Sequence, residues 1–108
     1  MDTKKTKLVR AVTWAYATQG DDSTSVKANS GLFGIYHDEN TAKQAVDDCA
    51  QSFIDQVRSD SSLTPEDLAS FEHNLMVFGS ADDGFIELEY ALDDEPVFIH
   101  VQLECVFI

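Results

Sequence analysis

Phe85-Ile86-Glu87-Leu88-Glu89-Tyr90-Ala91-Leu92 alternates apolar and polar side chains with a period of two. That is the spacing of a strand with one face in a core and the other in water. Ile86, Leu88, Tyr90 and Leu92 face one way, and Phe85, Glu87 and Glu89 the other. Beyond Asp93-Asp94-Glu95-Pro96, which reads as a turn, Val97, Ile99, Val101, Leu103 and Cys105 alternate with Phe98, His100, Gln102 and Glu104. Two such runs about a short acidic turn predict an antiparallel hairpin. Pairing Leu92 with Val97 sets Glu89 opposite His100 and Glu87 opposite Gln102 on the polar face. Upstream, Leu75-Met76-Val77-Phe78 leads into Ala81-Asp82-Asp83-Gly84, and Asp-Gly favours a hairpin because both positions tolerate positive φ. The last third is therefore read as three strands.

The middle third is helical. Ala42, Ala45, Val46, Cys49, Phe53 and Val57 recur at three- and four-residue intervals, with Lys43, Gln44, Asp47, Asp48, Gln51, Ser52 and Asp55 opposite. Asp38 or Asn40 can cap this helix, which should end near Arg58. Thr64-Pro65-Glu66-Asp67 starts a second helix: threonine caps, proline loses nothing at the first helical position, and two carboxylates complement the dipole. Its stripe is Leu68, Phe71 and Leu75, and it gives out near His73 or Asn74. Residues 8–18 read as a strand with Leu8, Val12, Trp14 and Tyr16 on one face, and residues 31–36 as the core of another, with a bulge or close approach at Gly34. The expectation is an α+β fold, ββααβββ, with an antiparallel sheet of about five strands and both helices on one face.

A length of 108 residues suits a single domain over 1–108, with 1–7 a disordered N-terminus. Met1 to Lys7 is basic but is not followed by the apolar run of a secretory signal, and no stretch reaches membrane-span length. Cys49 and Cys105 fall on apolar faces at a separation that suits neither a disulfide framework nor a metal site, so both are read as buried thiols of a cytoplasmic protein.

The charge narrows the partners. Twenty acidic against seven basic residues leave a net charge of -13. Such a surface repels nucleic acid and anionic membrane and steers cationic protein surfaces towards itself. The acidic pairs are separated by apolar segments, so the charge clothes a folded domain instead of forming a tail.

Motifs for chemistry are weak. Glu89 beside His100 is the one geometry with acid–base potential, and it brings no nucleophile or second base. Asp82, Asp83, Glu87 and Glu89 gather near a glycine, but two adjacent aspartates do not meet the calcium-loop spacing. His37, His73 and His100 lie on different elements, and no glycine-rich phosphate cradle is present. No cofactor and no metal are expected.

Three accounts of the acidity remain. In the first, carboxylates imitate nucleic-acid phosphates and occupy a basic groove of a partner protein. Glu87 and Glu89, alternate residues of a strand, stand ~6.8 Å apart, and Asp82, Asp83, Asp47 and Asp48 add further rows. In size, acidity and lack of motifs the chain is similar to phage-encoded inhibitors of restriction and CRISPR defence, a likeness of composition that implies an anti-defence role. In the second, thirteen aspartates against five lysines reflect salt adaptation, since molar salt screens charge within ~3 Å. In the third, the acidity solubilises a homodimer built on the C-terminal strand, whose end (Cys105, Val106, Phe107, Ile108) is apolar on both faces and reads as an exposed edge. A small enzyme using His100 and Glu89 is the alternative of a different class.

Overall fold

The computed structural model describes residues 7–19, 26–92 and 95–107. The expected ββααβββ order is present: β1 (Leu8–Gln19), β2 (Val26–Tyr36), α1 (Glu39–Arg58), α2 (Pro65–Asn74), β3 (Met76–Ser80), β4 (Phe85–Leu92) and β5 (Glu95–Phe107). The strands form one antiparallel sheet in the order β2-β1-β5-β4-β3. The reading of residues 1–7 as a disordered arm falls, apart from Lys7, outside the described residues.

Both helices start where local chemistry places them. The Asp38 carboxylate accepts from Thr41 N–H at 2.8 Å, and this bond, with one from the Thr41 hydroxyl, holds the Asp38 carboxyl below the usual carboxylate range. Thr64 and Asp67 form a reciprocal capping box, satisfying two backbone donors that a helix start otherwise leaves open. Ala45, Val46, Cys49 and Val57 of α1 then pack with Phe71 of α2 against Val12, Leu88, Ile99 and Val101 on one face of the sheet. Phe53 and Leu103, expected inside this core, are only partly buried against it, as are Trp14 and Tyr16. Phe53 meets the edge of Trp14, ring centroids 5.4 Å apart.

Three expectations are corrected. Leu92 pairs with Glu95 and not with Val97, so Glu87 faces His100, Glu89 faces Phe98, and Gln102 faces Phe85. Glu95 and Pro96 belong to the strand and not to the turn. A proline is tolerated near a strand start, and the Pro96 carbonyl accepts from the Thr18 hydroxyl at 3.1 Å. Secondly, β5 is the central strand, hydrogen-bonded to β1 and β4, where the apolar tail suggested an edge. Its ladder with β4 ends at Gln102, with one further bond from Leu103 N–H to the Gly84 carbonyl at 2.8 Å, so residues 104–107 continue along β1 alone. Thirdly, Cys105 is exposed. It lies on the helix-side face, in the stretch that runs on past the end of β4. Near Gly34, the irregularity falls at Phe33, where Val12 pairs with Gly34 but Thr13 with Leu32.

The two thiols are consequently unequal. Burial pushes the Cys49 thiol up to about 11, which suppresses the reactive thiolate. A thiol reagent at neutral pH is expected to label Cys105 alone in the native protein and both cysteines in denaturant. Mass spectrometry of the labelled peptides checks this, and rapid native labelling of Cys49 would contradict the packing of α1.

Candidate functional site

The sheet has one face under the helices and one without them. Successive pairings place Met76, Glu89, Phe98, Ala17 and Ala28 in one row across the open face, and Phe78, Glu87, His100, Ala15 and Ser30 in the next. The strand period puts Glu87 and Glu89 there, as the sequence predicts. Glu87 Oε1 lies 3.0 Å from His100 Nδ1, and Gln102 Oε1 lies 3.2 Å from Nε2 of the same ring. The Phe85 ring stacks on His100 with centroids 6.0 Å apart. Short side chains on β1 and β2 (Ala15, Ala17, Ala28, Ser30) leave a hollow of ≈ 480 Å³ beside Phe98, His100, Glu87 and Glu89.

The Glu89–His100 pair read from the sequence is thus replaced by Glu87–His100. Ser30, whose hydroxyl is the nucleophile-type group lining the hollow, sits two strands from His100 in the sheet order. Strands are spaced ~4.8 Å apart, so the two stand ~10 Å from each other, beyond the hydrogen-bond reach that base-assisted attack requires. What the geometry does is orient an imidazole between a carboxylate and an amide oxygen on a half-exposed surface.

On the other side of the sheet, the outward face of α1 carries Asp47 and Asp48. They rim a groove of ≈ 400 Å³ whose apolar members are Ala50, Ile54, Val77, Ile86 and Leu88. Gln44 donates to Asp48 at 3.0 Å. Asp82 and Asp83 lie in the loop between β3 and β4, where Asp83 accepts from the Ser80 hydroxyl at 3.0 Å and Asp82 is 4.0 Å from Lys43 Nζ.

The six carboxylates singled out in the sequence therefore do not share one face. Glu87 and Glu89 are on the open side, Asp47 and Asp48 on the helix side, and Asp82 and Asp83 at the hairpin end. What they share is a neighbour in β3: Glu87 and Glu89 lie beside it on β4, Asp82 and Asp83 follow it in the chain, and Asp47 and Asp48 face it across the groove. Glu89 pairs with Met76 and Glu87 with Phe78 across the ladder, while Val77 points into the groove below Asp47 and Asp48. The sequence reading treated Met76, Val77 and Phe78 as ordinary strand. Its missed signal is the absence of alternation, since a strand apolar on both faces at a sheet edge must expose some of that surface.

Among the described residues, no group of His, Cys, Asp and Glu side chains could hold a metal ion, and no helix is long and apolar enough to cross a membrane. No protein-family model matches the chain, and no curated protein or solved structure matches it either.

Proposed function

We propose that this chain is a non-catalytic acidic binding domain that occupies a basic surface of a partner protein, one that otherwise binds nucleic acid. The observation that carries the reading is the arrangement of Glu87, Glu89, Asp82, Asp83, Asp47 and Asp48 about a strip of exposed apolar residues, Met76, Val77 and Phe78. Carboxylates around an apolar strip match the anatomy of a protein interface, with an apolar centre and a charged rim that steers the approach. The side chains of Glu89 and Asp47 make no hydrogen bond or ion pair among the described residues, which leaves them open to an incoming cation. An inhibitor of the anti-defence kind would act in this way, by competing with phosphates for lysine and arginine.

The test begins with partners captured from a host lysate at low salt, each then measured with purified protein. Association is expected to slow by about 10-fold or more between ~50 mM and ~500 mM salt, as screening shortens from ~14 Å to ~4 Å. The double reversal Glu87→Lys, Glu89→Lys should lower the association rate while leaving thermal unfolding close to that of the parent. Duplex DNA or RNA should compete with the parent for the same partner. Equal association rates at both salt concentrations, or unchanged affinity after the double reversal, would leave those carboxylates as a solvated face and favour salt adaptation.

A further inference from the structure

The two outer strands of the sheet are guarded very differently. β2 carries Lys27 and an irregularity at Phe33 that interrupts its register with β1, and lysine and bulges are both devices that blunt a pairing edge. β3, Met76-Val77-Phe78-Gly79-Ser80, has no charge, no proline and no register break, and its left-handed residue, Gly79, comes after the extended stretch Met76-Val77-Phe78. Its outer side is unpaired among the described residues, and Met76, Val77 and Phe78 are 51%, 54% and 41% exposed. An edge of this kind has backbone donors and acceptors in place for another strand.

We propose that β3 takes an extended, lysine- or arginine-bearing segment of a partner protein as a sixth strand. This rests on the reading of the chain as a binder of basic protein surfaces, and specifies how such a partner is held. An added strand projects alternate side chains to the two faces. One set would lie beside Met76 and Phe78 on the open face, where Glu89 and Glu87 stand one strand further in, ~10 Å from the new backbone. That is within the combined reach of a lysine and a glutamate side chain. The other set would lie over Val77, at the groove rimmed by Asp47 and Asp48. Cations are therefore favoured on both faces of the occupant, with apolar side chains between them. Charge also argues against a second copy of this chain, because edge-to-edge pairing through β3 would bring both sets of carboxylates together. The five residues of β3 keep the paired stretch short.

The experiment uses the full-length protein and a capped lysine–valine octapeptide, Lys-Lys-Val-Val repeated twice, which as a strand carries both residue types on each face. Two further versions of the peptide are N-methylated on one or the other alternate set of backbone amides. All three carry the same charge, but each methylated form loses the hydrogen bonds of one edge. The unmodified peptide should bind at low salt and slow amide exchange within Met76–Ser80. At least one methylated form should bind about tenfold or more weakly, the loss expected when two or more backbone hydrogen bonds cannot form. Equal binding by all three peptides would overturn strand addition while leaving the basic-surface reading intact. Absence of binding at low salt, or protection confined to another element, would overturn it too. Sedimentation showing a dimer whose β3 amides are already protected would make a second copy the occupant and end the proposal.

Discussion

Phe71→Ala is expected to remove about 3–5 kcal/mol of folding stability, the cost of deleting a fully buried aromatic ring from a packed core. Phe71 has 0% exposure and is the one buried side chain of α2. Its ring meets Tyr90 edge-on, centroids 4.9 Å apart, and Tyr90 is itself buried enough that its hydroxyl is pushed up to about 12. Alanine would remove the anchor that holds α2 to β4. Domains of this kind have only about 5–15 kcal/mol in total, so the loss should be plain in urea titrations. Amide exchange should locate it, with α2 opening before the sheet. Phe53→Ala should cost less, because Phe53 is half-buried at the rim of the core. Equal costs for the two variants, or a loss below about 1.5 kcal/mol for Phe71→Ala, would contradict the packing of α2.

The second large effect is expected at Gly79. Gly79 and Gly84 both have left-handed backbone, φ 79° and 84°, so alanine at either position carries a conformational penalty of about 1–2 kcal/mol. Their surroundings differ. A Cβ on Gly79 would stand 2.5 Å from the Phe85 carbonyl oxygen and 2.7 Å from its ring, whereas one on Gly84 meets nothing within 4 Å. Backbone oxygen cannot move aside as a side chain can, so Gly79→Ala must distort the β3–β4 ladder. We expect Gly84→Ala to cost about 1–2 kcal/mol and Gly79→Ala about 1–3 kcal/mol more, the range for an overpacked site. Parallel denaturant titrations check the difference. Similar values for the two would mean that Gly79 does not sit against Phe85 as described. Because Gly79 ends the apolar strip of β3, its variant should also weaken the lysine–valine peptide if that peptide pairs there.

Several features of the molecule are written in short stretches of chain. The caps at Asp38 and Thr64 involve groups three residues apart, and so both helix starts are legible without knowledge of any distant contact. The apolar stripe of α1 and the alternation of β4 and β5 likewise follow from a period, which is why the ββααβββ order and the core faces of these three elements can be read directly, whereas in β1 Leu8 is exposed and Val9 and Ala11, of the other face, are buried. Even the residue types of the binding rim are visible, since charge needs no fold to be counted.

What could not be read is whatever depends on two segments meeting. The hairpin register slipped by two residues, and an even slip leaves every side chain on its expected face. The pattern is therefore blind to whether Glu87 or Glu89 stands opposite His100. The apolar tail of β5 suits a central strand and an exposed edge equally well, and pairing with β1 along Leu8–Phe107 decided between them. Cys105 follows the core-face period but lies where β4 no longer flanks β5, so its exposure is a matter of strand length. The same holds for the site: Asp47 and Asp48 come from a helix, Asp82 and Asp83 from a turn, and Glu87 and Glu89 from the opposite face of the sheet. Local periodicity chose the surface on which each carboxylate sits. Only the groove that Asp47 and Asp48 share with Val77, and the place of β3 at the end of the sheet, set all six about one unpaired strand.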